Sequence, residues 1–531
     1  MNRTARTRAA LAGVTAATLL AGGCTMPPFA PNTGKQRSAA ARQPPGATNW
    51  TPCPDVPRDL THRGAPPNMT YDCATISVPR EWPAGATPGA TVSPGGAGPA
   101  GTFDIALIRA RSSRQSDRIG SLVINPGGPG ASGIDTAVYL SYGAAFGGLP
   151  DEVTRRFDIV GFDPRGVSRS SPVKCISDAD LDATFGAEPD PDTPAEFDDL
   201  VALSKRISAG CAAKYDDQLS LYSTEQTARD MDAVRTAVGD QRLTYLGYSY
   251  GTLLGATYAQ LFPRNVRAMV LDGAVDPKQD SIAGSESQAK GFEQAFDDFA
   301  AWCRGTPGKC PIAPDARAAV NTALDKARVS PAHGSDGRAA SAGWIFYGIV
   351  ASLYTESGWE ELATAIQKLA EGNADPILEL ADRYADRDAS GHYSNQFDAN
   401  LVINCADEAQ RPTVDQARDL LPRWRSAYPL FGPPLATGLL SCAEWPAPAD
   451  PYPTGRADGA APILVVGTTG DPATPYEQTQ RLADMLGVGR VLTWEGEGHT
   501  AYPQTTCITG AVDAYLIEGT LPPVGKRCPA R

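Results

Sequence analysis

A serine, an aspartate and a histidine are the residues of this chain best suited to do chemistry, because each directly follows an apolar run. Ser249 is the centre of the sequence GYSYG at 247–251, which comes directly after LTYL. The pattern Gly-x-Ser-x-Gly is typical of a serine nucleophile on a tight turn between a strand and a helix, where glycines let neighbouring backbone pass closely. The same pattern also occurs by chance in glycine-rich loops, so Ser249 needs partners elsewhere in the chain.

The first partner is a base. A serine hydroxyl is a weak nucleophile at neutral pH and needs an imidazole, itself oriented by a carboxylate. The chain has four histidines. His62 precedes the predicted core, His333 and His392 lie in a predicted insertion, and His499 directly follows the last apolar run. We therefore predict that His499 is the base, against the alternative of a surface-loop histidine.

The second partner is the carboxylate. Asp471 follows the apolar run ILVV within VVGTTGDPATP, so we predict that it orients the imidazole. Asp458 and Glu477 are neighbouring acids, but neither directly follows the run. The alternative for Asp471 is a role in turn formation alone, because it precedes a proline.

A turn rich in glycine is the candidate for stabilising the oxyanion. Acyl transfer needs N–H donors where negative charge develops, and NPGGPG at 125–130 follows the run SLVI. We predict Gly128 as one donor, with Gly127 as the next choice, and the N–H of Tyr250 as the other. A glycine turn without a catalytic role is the alternative.

The elements that must position these residues follow from six short apolar runs that end in turns rich in Gly or Asp. Continuous apolar runs are typical of strands buried on both faces, and helical segments between them indicate parallel crossovers. We predict an α/β fold with a mostly parallel central sheet flanked by helices, and the reactive residues at the carboxyl ends of the strands. The runs are SLVINPGGPG, FDIVGFDPRG, LTYLGYSYG, VRAMVLDGA, PILVVGTTGD and RVLTWEGEGH.

The succession of strands stops between Asp272 and Pro462, where the sequence is instead typical of helices. We predict that 276–460 is a helical cap inserted over the carboxyl edge of the sheet. The core would then consist of 51–275 and 461–531.

The first residues predict export. Three arginines precede an uncharged run of small and apolar residues, which is typical of a signal peptide over 1–23. The sequence LAGGC at its end resembles the lipobox of bacterial lipoproteins, so we predict a lipid anchor on Cys24. Residues 24–50 are rich in Pro, Ala and Gly and predict a flexible tether. The chain would then lie outside the cytoplasm, in the cell envelope and anchored to the membrane, and the alternative is a plain secretory signal with an incidental cysteine.

Cysteine number agrees with export. The chain has eleven cysteines, and ten remain when Cys24 is set aside. An exported protein pairs most of its cysteines, so we expect five disulfides. Pairing of nearest neighbours is the simplest hypothesis, and the candidates are Cys53, Cys73, Cys175, Cys211, Cys303, Cys310, Cys405, Cys442, Cys507 and Cys528.

Charge and spacing exclude some partners. The formal net charge is −13, which makes nucleic acid and anionic lipid surfaces poor partners. No cysteine pair has the spacing of a zinc site and histidine is scarce, so we expect no metal and no other cofactor.

Taken together, five motifs resemble the prolyl iminopeptidase and tripeptidyl aminopeptidase family of α/β-hydrolases. The resemblance is strongest to its exported actinobacterial branch, which includes mycobacterial envelope hydrolases of the carboxylesterase A type. The order Ser249, Asp471, His499 is also that of α/β-hydrolases. Asn125 stands where the HGGPG motif of prolyl iminopeptidases has histidine, a departure that argues against specificity for a single proline. The motifs are NPGGPG, FDPRGVSRS, YLGYSYGT, TTGDPATPYE and GEGH, spread over 121–500.

The resemblance implies hydrolysis of peptides from a free amino terminus through a serine acyl-enzyme, without a cofactor. It also implies an acidic residue in the cap that receives the substrate ammonium, for which Asp407 and Glu408 are the candidates; a solvated acidic turn is the alternative. Some members are esterases, so a carboxylesterase or lipase that acts on envelope or exogenous esters is the second hypothesis. The third is a catalytically inactive binding lipoprotein of the envelope.

Overall fold

The computed structural model describes residues 48–83 and 101–530. The predicted signal peptide, Cys24 and the tether up to residue 47 lie outside the described residues. Within them, ten strands form one sheet in the order β1-β2-β3-β5-β4-β6-β7-β8-β9-β10. The strands are β1 Thr51–Pro52, β2 Met69–Pro79, β3 Thr102–Ser112, β4 Gly120–Asn125, β5 Phe157–Phe162, β6 Leu243–Tyr248, β7 Val266–Asp272, β8 Ile463–Gly470, β9 Gly489–Glu497 and β10 Arg527–Cys528.

The sheet is mostly parallel, as predicted. The strands from β5 through β4, β6, β7, β8 and β9 to β10 pair in parallel. At the other end, β1 pairs antiparallel with β2, β2 with β3, and β3 with β5. Because the parallel strands point the same way, the residues that follow β4, β6, β7, β8 and β9 are brought to one edge of the sheet.

Helices flank both faces of this sheet. Residues of α2, α3 and α18 pack with the strands in one buried cluster, whereas residues of α6, α7 and α17 pack in another. The helices are α1 Val56–Thr61, α2 Gly133–Leu140, α3 Asp151–Arg156, α4 Asp178–Gly186, α5 Pro194–Tyr215, α6 Thr224–Ala237, α7 Tyr250–Leu261, α8 Ser281–Gly305, α9 Ala316–Val329, α10 Ala342–Leu353, α11 Trp359–Ala370, α12 Asp375–Ala385, α13 Gln396–Asp407, α14 Val414–Ala427, α15 Gly432–Gly438, α16 Leu440–Ala443, α17 Glu477–Leu486 and α18 Thr506–Glu518. Short 3₁₀ helices span Ala144–Phe146, Asp216–Tyr222, Pro263–Asn265 and Glu356–Gly358.

Local sequence explains how α6 is bounded. The Ser223 side chain accepts a hydrogen bond from the Gln226 N–H, as an N-cap should. The Gln226 side chain does not complete a capping box, because its oxygen accepts instead from the Trp82 N–H. The helix ends before Gly239, whose φ of +83° suits glycine.

The chain between β7 and β8 is built from α8 to α16. Aromatic side chains of this insertion, including Phe296, Phe346 and Phe431, belong to the same buried cluster as strand residues such as Val465. The insertion therefore packs onto the core through a continuous apolar contact. No helix in the described ranges is long and apolar enough to cross a membrane.

Five disulfides join the cysteines that are nearest neighbours in sequence. Each closes a loop and thereby restricts the unfolded chain, which typically adds about 2–4 kcal/mol of stability. Two of the pairs lie within the insertion. The pairs are Cys53–Cys73, Cys175–Cys211, Cys303–Cys310, Cys405–Cys442 and Cys507–Cys528.

Candidate active site

Ser249 lies on the turn that joins β6 to α7. Its φ of +55° and ψ of −124° are a conformation that non-glycine residues rarely adopt, at a cost on the order of 1–3 kcal/mol. A Cβ added at Gly251 would lie 2.8 Å from the Asn125 carbonyl oxygen, and one at Gly247 would meet the backbone of Gly251. Both glycines of the motif are therefore needed to let this turn form, which is the local reason that Ser249 projects from the end of the strand.

Asp471 and His499 are paired by hydrogen bonds after β8 and β9. The Nδ1 of His499 lies 2.9 and 3.0 Å from the two carboxylate oxygens of Asp471. Because a carboxylate only accepts, Nδ1 carries the proton and Nε2 is left as the acceptor. Further N–H donors from Ala473 and Thr474, at 3.0 and 2.8 Å, fix the orientation of the Asp471 carboxylate.

The environment of His499 makes its imidazole more basic. Burial disfavours the charged form, but the charge and hydrogen bond of Asp471 outweigh it, with a smaller contribution from Asp272, so the pKa of His499 is raised. A more basic imidazole is a better proton acceptor, and it requires a higher pH to remain neutral.

The residues at the end of β7 lie between the serine turn and the His499 ring. The Ser249 N–H donates to the Asp272 carbonyl oxygen at 2.9 Å, and a Cβ at the next residue, Gly273, would lie 3.1 Å from the His499 Cε1. In the described part of the chain, Ser249 Oγ and the His499 ring are not hydrogen-bonded to each other. Catalytic hydrogen bonds in unliganded enzymes are often completed only when substrate binds.

The glycine turn after β4 lies directly against the serine turn. A Cβ at Gly127 would lie 2.9 Å from the Ser249 Cβ and 3.1 Å from the Tyr250 nitrogen. The Gly127 N–H itself donates to the Asn125 side chain at 3.0 Å, so this donor is already occupied and would have to leave Asn125 to bind an oxyanion. Gly128 lines the same cavity as Ser249 and Tyr250. The geometry therefore favours Gly128 over Gly127 as the second oxyanion donor beside Tyr250.

A cavity of about 1230 Å³ adjoins Ser249 and is walled largely by the insertion. Helix α13 forms one wall, with Phe397, Asn400, Asn404 and Asp407 at helical spacing toward it. Another cavity, of about 440 Å³ and lined by residues such as Arg63, contains none of the predicted site residues. Of these two cavities, the larger one therefore adjoins the predicted site residues.

One end of this cavity is acidic. Asp276, Asp280, Asp407 and Glu408 line it, and Lys278 is the one lysine or arginine that does so in the described ranges. Such an end attracts cations, which is the property that an ammonium site formed by Asp407 and Glu408 would need.

Asp407 is held near the serine turn by hydrogen bonds from Thr224. Its carboxylate accepts hydrogen bonds from the N–H of Thr224 at 2.7 Å and from the Thr224 hydroxyl, which also contacts the Tyr250 hydroxyl at 2.6 Å. Among the described residues Asp407 forms no ion pair with lysine or arginine. Burial therefore raises its pKa to about 7, despite the two bonds from Thr224.

Three residues that the sequence analysis did not predict stabilise the histidine loop. The Asp272 carboxylate accepts from the N–H groups of Ala501 and Tyr502, and burial raises its pKa to about 7. The Thr474 hydroxyl donates to Asp471 at 3.0 Å. The Tyr354 carbonyl, from the insertion, accepts the His499 N–H at 2.8 Å.

The sequence contained a local indication of a role for two of these three residues and none for the third. Asp272 ends an apolar run, and Thr474 follows Asp471 by three residues, so both had a local signal. Tyr354 lies far from His499 in sequence, directly after the apolar helix α10, and had none.

A mostly parallel sheet with a serine on a strained strand-to-helix turn and an Asp–His pair at the same edge defines an α/β-hydrolase of the serine class. The family described as TAP-like protein matches residues 428–528. Serine protease Hip1 of Mycobacterium tuberculosis is 41% identical over 415 residues, which cover 75% of this chain and 78% of that protein.

Two other relatives have different names. Carboxylesterase B of Mycobacterium tuberculosis is 37% identical over 537 residues, with 96% of each chain covered. Tripeptidyl aminopeptidase of Streptomyces lividans is 30% identical over 374 residues, with 69% of each chain covered. The chain belongs to the TAP-like family of α/β-hydrolases and is a serine hydrolase, which confirms the resemblance found in its motifs.

Proposed function

We propose that this protein is an exported, lipid-anchored serine peptidase that removes short peptides from a free amino terminus. The observation that carries the proposal is the position of Asp407 in the same cavity as Ser249: the residue is half-buried and, within residues 48–83 and 101–530, has no lysine or arginine as an ion-pair partner. A peptide ammonium supplies the missing positive charge. The relatives named serine protease Hip1 and tripeptidyl aminopeptidase support a peptide substrate.

The mechanism uses Ser249, His499 and Asp471. His499 Nε2 takes the proton of the Ser249 hydroxyl as its oxygen attacks the carbonyl carbon, while Asp471 holds the Nδ1 proton in place. The N–H groups of Gly128 and Tyr250 bind the oxyanion that forms. The tetrahedral intermediate collapses, the C–N bond breaks, and His499 gives its proton to the leaving amine.

Water completes the cycle. His499 removes a proton from a water molecule, which attacks the acyl-enzyme, and then returns the proton to Ser249 as the carboxylic acid leaves. No cofactor enters any step.

Helix α13 limits how much peptide is released. The Asn400 side chain donates to the Pro129 carbonyl oxygen at 3.0 Å, so this part of the helix lies at the oxyanion turn. Asp407 lies seven residues further along the same helix, which corresponds to about 10 Å. An extended peptide spans roughly 3.3–3.6 Å per residue, so about three residues fit between the scissile bond and the ammonium. A tripeptide is therefore the proposed product.

We assign the other parts of the chain as follows. Residues 276–460 form the cap that selects the substrate, between the core segments 51–275 and 461–531. Residues 1–23 form the signal peptide, and 24–50 the tether with the lipid on Cys24. Globomycin, which inhibits lipoprotein signal peptidase, should cause accumulation of the precursor, and Cys24→Ala should release the protein from the membrane fraction.

A carboxylesterase is the second candidate. It is favoured by the coverage of the relative named carboxylesterase B and by the apolar side chains that line much of the cavity. Both candidates use the same acyl-enzyme, so they differ in the substrate alone.

Two measurements test the proposal. A fluorophosphonate probe should label the wild type but not Ser249→Ala; an unlabelled wild type would show that the site is inactive and would favour a binding protein. Turnover of a free-amino tripeptide amide should then exceed that of its N-acetylated twin. Equal rates for the two peptides would remove the ammonium site, and preference for a short acyl ester over both would favour the carboxylesterase.

A further inference from the structure

We propose that the cavity has a second recognition site, an aromatic chamber that receives a large apolar side chain of the residue at the scissile bond. The proposal rests on the proposed peptidase function and names the side chain that the enzyme selects. The chamber is formed by six aromatic residues of the cavity wall, which are Phe185, Phe346, Tyr347, Tyr354, Tyr384 and Phe397.

The rings of the chamber contact one another in a continuous chain. Phe185 meets Tyr347 and Phe397 edge to face, each with centroids 4.7 Å apart. Tyr384 stacks on Tyr347 at 5.4 Å and lies 6.3 Å from Tyr354. These side chains come from α4, α10, α12 and α13 and from the residue after α10, so the insertion supplies all but one of them. Their mutual contacts hold each ring in place and predict a site of defined shape.

The chamber adjoins the reaction centre at two points. The Tyr354 ring meets the His499 ring edge to face at 5.4 Å. Phe397 lies three residues before Asn400, the residue that contacts the oxyanion turn through Pro129. A side chain in the chamber would therefore belong to a residue next to the bond that Ser249 attacks.

The chamber and the acidic end lie in opposite directions along α13. Phe397 and Asp407 are ten residues apart on that helix, which corresponds to about 15 Å, with Asn400 between them. A peptide with its ammonium at Asp407 and its carbonyl at the oxyanion turn thus brings the side chain of a residue that flanks the scissile bond, on the acyl or the amine side, to the chamber.

The chemistry of the chamber excludes charged side chains. Its six rings carry no formal charge, and burial raises the pKa of Tyr347 far above its usual range, so that hydroxyl remains neutral. Aliphatic side chains of Ile176, Leu181 and Val350 also line the cavity. Glu188 also lines the cavity, but Arg328 already pairs with its carboxylate at 2.8 Å. A Lys, Arg, Asp or Glu side chain that entered the chamber would therefore lose hydration, whereas Phe, Leu or Met would be favoured.

The test is a substrate series measured with the full-length wild-type enzyme. Peptides Ala-Ala-Xaa with a fluorogenic amide vary the residue before the scissile bond, and quenched peptides Ala-Ala-Ala-Xaa vary the residue after it. We expect kcat/KM for Phe to exceed that for Ala by roughly 30-fold to 100-fold in one of the two series, and Asp to be poorest there. The series that responds assigns the chamber to the retained or to the departing residue.

Chamber variants then locate the preference. In Tyr384→Ala and Phe397→Ala the ratio of kcat/KM for Phe over Ala should fall toward one, whereas in Tyr139→Ala, an exposed aromatic outside the cavity, it should keep its wild-type value. Val350→Phe, which fills the chamber instead of emptying it, should lower the same ratio without creating a void. Thermal unfolding of each variant identifies a change that merely destabilises the fold.

The two proposals fail separately. A ratio within threefold of one in both series, or a strong ratio that the chamber variants leave unchanged, overturns the chamber while peptide turnover still supports the peptidase. Absence of turnover for every peptide overturns both.

Discussion

The residues at the core edge around Ser249 and the residues of the insertion that covers this edge are positioned by different kinds of structure. Ser249, Asp471 and His499 each follow a strand of one sheet, so short turns place them. Asp407, Tyr354 and the aromatic chamber depend on how long helices pack far from one another in sequence. The difference indicates that the core determines the reaction and the insertion determines the substrate. Tyr354 is relevant to both the reaction and the substrate, because it lies in the insertion and contacts His499.

The sharpest test of this division is Ser249→Ala. Removal of the nucleophile should lower kcat on the order of 10⁶-fold for peptides and esters alike, because no other group can form the acyl-enzyme. Steady-state turnover of both substrates measures it, with Ser116→Ala, an exposed serine outside the cavity, as the control. Retention of peptide turnover alone would place the peptidase chemistry elsewhere.

Asp471→Asn should have the next largest effect. Loss of the carboxylate should lower kcat by about 10⁴-fold, because the imidazole loses the group that fixes its tautomer. Asp471 raises the pKa of His499, so the wild-type rate should increase as pH rises through that elevated pKa, and in the variant the midpoint should move to lower pH.

The pH dependence of kcat, measured by stopped-flow where necessary, reports this change in the pKa of His499. An unchanged midpoint in Asp471→Asn would contradict the assignment of His499 as the titrating base.

Asp407→Asn tests the insertion. We expect KM for a free-amino tripeptide amide to rise about 10-fold to 100-fold, because a charged hydrogen bond is lost, and KM for the N-acetylated twin to change little. Since burial raises the pKa of Asp407 to about 7, the carboxylate charges only as pH rises through that value. Wild-type KM should therefore fall over this pH range, whereas KM of the variant should not.

The exposed acid Asp325, on α9 and outside the cavity, supplies the matched control for that change. If Asp325→Asn raised KM equally, general electrostatic attraction would explain the effect and Asp407 would not be a specific ammonium site.

Tyr354→Ala should give the smallest of these effects, since the backbone carbonyl that accepts the His499 N–H remains. Loss of the ring beside His499 should lower kcat roughly tenfold through misplacement of the imidazole. Tyr354→Phe, which keeps the ring, should restore most of the rate. The pH midpoint of kcat and the KM for an ester separate the two roles of Tyr354. A change in KM alone would show that its ring contributes only to substrate binding in the chamber and does not position His499.

Much of the core was predictable from sequence because its signals are local. The six apolar runs correspond to β4 to β9, and the Gly-x-Ser-x-Gly motif is the turn between β6 and α7. The disulfides join cysteines that are neighbours in the sequence, and each closes a loop of at most 37 residues.

The oxyanion turn is an example of a feature that the local sequence predicted only in part. NPGGPG predicted glycine N–H donors, with Gly128 as the first choice and Gly127 as the second, but the sequence contains no hydrogen bond that separates them. Only the folded turn shows that the Gly127 N–H is used by Asn125. A hydrogen bond between residues two apart depends on the φ and ψ of the whole turn, and sequence spacing does not specify these.

The sequence by itself determined the class of fold and which serine, aspartate and histidine follow its strands, because strand periodicity and turn glycines act over a few residues. Tertiary structure alone decided that Asp407 lies in the cavity of Ser249 with no lysine or arginine partner in the described part of the chain, that Tyr354 contacts His499, and that six aromatic rings line one wall of the cavity. These contacts join segments from opposite ends of a long helical insertion. Their physical cause is the packing of apolar helix faces, which many sequences satisfy and which no short motif encodes.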